Sequence, residues 1–318
     1  MNLMRKYVSI VVLIILISWC IIYVKNHINE FRSISQISVK FTLILCLLSL
    51  TIISFRGYFT KVLLEPFEID LKLKVWFGLS FVSTMGNYLA PFRTGAAFRA
   101  VYLKANYDFP YSSFLSTMAA TYIINFFVNS LIGMGSIGLI YANYKIFNLP
   151  ISLFFLIVFL VLLVIIAFSP KVSNHQKGFL KSIGNLINGW CQIRANHTVI
   201  RKLSFLILLN ATLLWLTIYF AFKAFSVNLP LIKCLLISAL HAFSILISIT
   251  PGSLGISEGV IVFTSKLFGI SPVKSLVVAG LIRVITLFWV LTLGPILSYF
   301  LVTQRRRDYD KEKEEGTQ

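Results

Sequence analysis

Acidic side chains are scarce in this sequence. Its 318 residues hold 11 Asp and Glu against 29 Lys and Arg, and between Asp108 and Asp308 the one acid is Glu258. Charged residues make up 13% of the chain, where a soluble domain carries about 25%. The polar surface of a water-soluble enzyme is therefore missing. Catalytic constellations are missing too. No nucleophile–base–acid set, no Gly-x-x-x-x-Gly-Lys phosphate loop and no metal-ligand cluster is present. Neither ATP hydrolysis, nor a cofactor, nor an enzymatic activity is expected. Cysteine is limited to Cys20, Cys46, Cys191 and Cys234. No pair of these has redox or zinc spacing, and they read as free thiols.

What the chain has instead is apolar length. Hydrophobic residues make up 58% and the mean hydropathy is +0.86, values of a polytopic membrane protein. The net charge of +18 then fits basic cytoplasmic loops and anionic headgroups rather than nucleic acid, for which no motif is present. The run 7–24 follows Arg5-Lys6 and lacks a small-residue cleavage site, so it reads as an uncleaved first span with the N-terminus in the cytoplasm. Further runs of spanning length are 38–55, 112–142, 149–168, 203–222 and 272–302. The run 112–142 reads as one tilted helix or a broken one, because Gly133, Gly135 and Gly138 interrupt it. Residues 56–74 read as a mixed-charge loop. Residues 169–202 carry Lys and Arg without acids and read as a basic amphipathic helix on the inner leaflet. The end after Val302 reads as a disordered polar tail.

Two shorter apolar runs, 75–92 and 229–250, each end in a Pro/Gly break. The first is Ala90-Pro91-Phe92-Arg93-Thr94-Gly95 and the second is Thr250-Pro251-Gly252-Ser253-Leu254-Gly255. Each is followed by an amphipathic stretch too short to span, 96–105 and 256–268. Pro91 and Gly95 fall on Pro251 and Gly255 at an offset of 160. This order of elements reads as a duplication, with repeat one about 38–142 and repeat two about 203–302. Treating each broken segment as a re-entrant hairpin puts both termini inside, with 20 of the 29 basic residues cytoplasmic, eight outside and Arg283 within a span. The repeats then run in opposite directions, as in inverted-repeat transporters with broken helices at the midplane. The expected fold is an all-α polytopic integral membrane protein, an inverted repeat with two re-entrant helical hairpins. One transmembrane domain covers 1–302 and a cytoplasmic tail covers 303–318.

Irregular backbone at membrane depth survives only inside protein or beside a wet cavity, and helix N-termini there suit phosphate. Arg93 and Arg99 flank the first break, as holders of a lipid phosphate or as arginines that snorkel to headgroups. Glu258 follows the second break. It is placed to pair with Arg99 or Arg283, to bind a cationic headgroup, to carry a proton, or to cap its helix beside Ser257. Arg283 lies in an otherwise apolar helix and must face the interior, on a phosphate or in a structural ion pair with Glu258. Lys233 reads as snorkelling and His241 as an interior histidine. Asn87, Asn125 and Asn129 read as interhelical hydrogen bonders.

At the two breaks the sequence resembles a known family. Pro91-Phe92-Arg93-Thr94-Gly95 with Arg99 resembles its Pro-x-Arg-x-Gly-Glu-x-x-Arg stretch. Pro251-Gly252-Ser253-Leu254-Gly255-Ile256-Ser257-Glu258 resembles its Pro-Gly-Gly-Leu-Gly-x-x-Glu stretch, and Arg283 falls where the family has an arginine. The family is the flippase-like membrane region of lysylphosphatidylglycerol synthases and their stand-alone relatives, over roughly 5–302. One position departs: the family's Glu after the first Gly is Ala96 here, so any cation or proton that acid meets in relatives has no partner at this position. A cationic lysyl-lipid is accordingly not the substrate expected. The chain ends soon after its last span, and a soluble synthase domain is not expected. The resemblance implies a cytoplasmic-membrane protein that translocates an anionic phospholipid or polyprenyl-phosphate-linked lipid. The alternative it implies is a non-transporting membrane partner of a glycosyltransferase or lipid synthase. A second copy of the chain is a further candidate partner.

Overall fold

A computed structural model describes residues 37–168, 190–191, 193–247 and 249–315, with backbone alone at 302 and 304–315. The first apolar run, 7–24, and the basic stretch 169–189 lie outside the described residues. Nine helices of eight or more residues follow one another among the described residues: α1 Val39–Leu64, α2 Leu73–Leu89, α3 Thr94–Tyr107, α4 Tyr111–Tyr144, α5 Leu149–Ala167, α6 His197–Ala224, α7 Leu231–Phe243, α8 Ile256–Lys266 and α9 Pro272–Glu315. Short 3-10 turns, Glu65–Phe67, Ser244–Leu246 and Pro251–Ser253, join some of them.

Val39–Phe67, Tyr111–Tyr144, Leu149–Ala167, His197–Ala224 and Pro272–Leu301 are long and apolar enough to cross a membrane. They coincide with the five described apolar runs of spanning length. The protein is a multi-pass helical membrane protein. α5 is the most apolar of these spans, and 17% of its most apolar window is buried inside the protein. Leu153, Ile157, Val161 and Val164 along it face outward, as a lipid-facing helix requires.

Two sequence readings change and one left open is decided. The loop read at 56–74 is largely helix. Nothing before Pro66 interrupts the hydrogen-bond ladder, so α1 runs 26 residues, about 39 Å, and Arg56 falls about one turn before a hydrocarbon core of about 30 Å is exceeded. The run 112–142 lies within one continuous helix. Its Gly133 seats the Phe155 ring of α5, which a Cβ there would meet at 2.4 Å, so this glycine serves packing rather than a break. Finally, helical backbone continues past Val302 to Glu315, through Gln, Arg, Lys and Glu, all good helix formers.

The packing is reciprocal. α1 lies against α6. α2, which leads into the first break, packs on α9, and α7, which leads into the second, packs on α4. Phe222, Cys234, Ile261 and Val278 form one core among α6 to α9. Leu71, Leu79, Leu103 and Phe114 form another among α2, α3 and α4. Trp190, just beyond the basic stretch, is buried with Phe59 and Leu203. Cys234 is buried and Cys46 half-buried, and both are free thiols.

Candidate functional site

Each break begins at a proline. Pro disfavours helix in the residue before it, and Ala90 and Thr250 are both extended. The next two residues are then left-handed: Phe92 at φ 57° and Arg93 at φ 56°, Gly252 at φ 56° and Ser253 at φ 53°. The two pairs stand 160 positions apart, as the prolines do. A non-glycine residue in this region costs about 1–3 kcal/mol, so surrounding bonds must hold it.

At the first break Thr94 Oγ1 donates to the Gly86 carbonyl at 2.7 Å, and the Gly95 N–H donates to Asn87 Oδ1 at 3.0 Å. Gly95 lies so close to α2 that a Cβ would stand 1.6 Å from the Ser83 carbonyl oxygen. Arg93 turns to α4, where it donates to the Tyr122 hydroxyl and its guanidinium lies 5.0 Å from the ring centroid. Arg99 points back between α1 and α2. It donates to Thr60 Oγ1 at 2.8 Å and to Ser83 Oγ at 2.6 Å, while its Nε is buried without a partner. Beyond Arg99, α3 ends at Asp108, whose carboxyl Lys104 holds below the usual range through a hydrogen bond and its charge.

At the second break Glu258 occupies the first turn of α8. Its Oε2 accepts from the Gly255 N–H at 2.8 Å and from the Ser257 hydroxyl at 3.1 Å. Its Oε1 accepts from Arg283 Nε. Arg283 also donates to the Gly252 carbonyl at 3.0 Å and to Ser257 Oγ at 3.1 Å. Both side chains are about seven-eighths buried. Of the partners the sequence offered Glu258, Arg283 takes it and Arg99 does not.

The two breaks meet at Tyr88, in the last turn of α2. Its ring lies 5.5 Å from the Arg283 guanidinium and packs on Gly252, where a Cβ would come within 2.9 Å. Behind this junction lies a cavity of about 100 Å³, room for a few water molecules at about 30 Å³ each. α1 lines it with Leu45, Ser49, Ile52 and Arg56, α9 with Ala279, Arg283 and Thr286, and α7 with His241. Glu258, Ser257, Thr217 and Tyr88 add to its polar wall.

Arg93, Arg99 and Arg283 thus take separate partners. Of these only Arg283 lines the cavity, where Arg56 joins it from a stretch whose charges read as loop. The readable signal was the stripe Leu45, Ser49, Ile52, Arg56, a 3.6-residue period continuing past the end of the apolar run. Asn87 caps α3. Asn129 bonds Asn125 within α4. Lys233 sits over the Tyr144 and Phe268 rings, 4.5 and 5.2 Å from their centroids.

Fold and site together define a class: a polytopic helical membrane protein whose two broken helices meet at a buried arginine–glutamate pair. The chain belongs to the family described as the lysylphosphatidylglycerol synthase TM region, whose model matches residues 7–294. Comparison with curated proteins and with solved structures gives no match.

Proposed function

We propose that this protein is a flippase-like lipid transporter of the cytoplasmic membrane. It moves an anionic phospholipid or polyprenyl-phosphate-linked lipid between leaflets. The observation that carries the reading is the polar cavity behind two broken helices, enclosed by helices of spanning length. Such a cavity gives a headgroup a place at membrane depth, where open backbone is tolerated only around it.

The two halves act as an inverted repeat with re-entrant hairpins. The reciprocal packing of α2 on α9 and α7 on α4 supports this, as do the matched left-handed pairs. Both termini are cytoplasmic on this reading, since that places most basic residues inside. Arg93, Arg99 and Arg283 present cations to the lipid phosphate. Glu258 gates by holding or releasing Arg283, and the backbone at Pro91, Gly95, Pro251, Gly252 and Gly255 fixes the two turns.

The test is translocation of a fluorescent anionic lipid by the purified chain in proteoliposomes, with Arg99→Ala and Glu258→Gln beside the parent. Loss of rate in both variants supports the site. Parental rates in both would sink the assignment. No movement by the parent protein would favour a partner that presents lipid to another enzyme.

A further inference from the structure

Whether the site accepts a lipid head that carries an amine is decided by what a cation would find there. Glu258 is the one carboxylate lining the cavity. Both its oxygens are engaged, one by Arg283 and the other by the Gly255 N–H and Ser257. Glu258 thus already accepts three hydrogen bonds, and an ammonium group would have to compete with Arg283 for its charge. Aromatic faces are the other seat for a cation. The two beside the breaks, Tyr88 and Tyr122, are already occupied by Arg283 and Arg93.

For an anion the inventory is reversed. Among the described residues no carboxylate pairs with Arg56 or Arg99. Arg99 holds two neutral hydroxyls and keeps one buried N–H unused. Thr60, which accepts from Arg99, itself donates to the Arg56 carbonyl one turn back at 3.2 Å. Arg99 thus reaches the stretch of α1 that carries Arg56, which lines the cavity one turn away. Neither cation has a carboxylate partner among the described residues, so an anion stabilises both, and the guanidinium fork matches the oxygens of a phosphate.

We infer that the site selects a phosphate-bearing lipid whose head has no amine, and that Arg56 and Arg99 supply the anion contacts. This rests on the lipid-transport reading and deepens it. The phosphate of a lipid head and free inorganic phosphate share this chemistry, and the test separates them.

The test is native mass spectrometry of the full chain in detergent, offered equal amounts of phosphatidylglycerol, phosphatidylethanolamine and an aminoacylated phosphatidylglycerol. The expected result is retention of phosphatidylglycerol about tenfold above the two amine lipids, and a fall of about fivefold or more in Arg56→Gln and Arg99→Gln. Ala96→Glu removes no arginine. It sets a carboxylate three residues before Arg99 on α3, so phosphatidylglycerol should fall and the aminoacylated lipid rise. Equal retention of the three lipids by the parent protein overturns the inference, as does unchanged selectivity in all three variants. Displacement of lipid by millimolar inorganic phosphate would overturn the lipid source. The translocation assay is read on the same preparation. Selective binding without translocation removes the transport reading and leaves this one. Translocation of amine and non-amine lipids alike does the reverse.

Discussion

Gly95 and Gly255 stand at the same point of the two breaks, each just after a left-handed pair, and each has an N–H that no helix satisfies. At Gly95 the acceptor is the neutral amide of Asn87, eight residues back on the preceding helix. At Gly255 it is the carboxylate of Glu258, three residues ahead on the following one. The nearby arginines divide in the same way. Arg93 leans on a neutral tyrosine, whereas Arg283 is tied to a carboxylate, a hydroxyl and a carbonyl. One backbone path is thus held once without negative charge and once with it. The lesson is that Ala96 leaves no gap in the first turn: Asn87 closes the backbone, and the basic side chains around it stay unneutralised.

Substitutions in and beside the two turns would break or sharpen this comparison. The largest effect belongs to Gly95→Ala, because its methyl group would overlap the Ser83 carbonyl. A loss above about 4 kcal/mol is expected, seen as absence of folded protein on size exclusion. Gly259→Ala, beside the second break with nothing within 4 Å of a Cβ, should purify like the parent. Next comes Arg283→Met, which strands a buried Glu258. Thermal unfolding should show a loss of about 3–5 kcal/mol, and adding Glu258→Gln should restore part of it. Asn87→Ala leaves the Gly95 N–H without its cap and should cost about 1 kcal/mol. Asn87→Asp keeps the cap and gives the first break the second one's charge, so its melting should hold while phosphatidylglycerol retention falls. The smallest effect is a gain. Phe92→Gly relieves a left-handed non-glycine residue, and thermal unfolding should show a stability gain of about 1 kcal/mol. The same comparison at Gly252→Ala should lower stability, because Tyr88 is in the way.

The sequence made the helical architecture legible because apolar length is a strong signal. Each described run of spanning length is a helix, and both Pro/Gly breaks lie where composition places them. The Glu258–Arg283 pair was within reach for a similar reason: a lone acid and a lone intramembrane arginine have few other partners. The role of Arg56 was hidden by the same composition. Charge appears near the membrane edge, but the helix does not end there, and a stretch read as loop carried a cavity-facing residue. Asn87 is the interhelical hydrogen bonder its sequence setting suggests, but the bond it makes to α3 was not legible. Its partner is a backbone N–H eight residues away, and no pattern of side chains marks such a bond. Tyr88 and Tyr122 look like ordinary aromatic residues until a fold sets arginines against them.

Arg99 is anchored by the hydroxyls of Thr60 and Ser83, and hydroxyls have no charge to lose in acid and no field for salt to screen. Its aim should therefore be the same in dilute buffer and in brine. What ionic strength changes is the attraction that draws an anion in from a distance, which fades over about 8 Å at physiological salt. Salt should slow the arrival of a lipid phosphate and leave the seat that receives it in place.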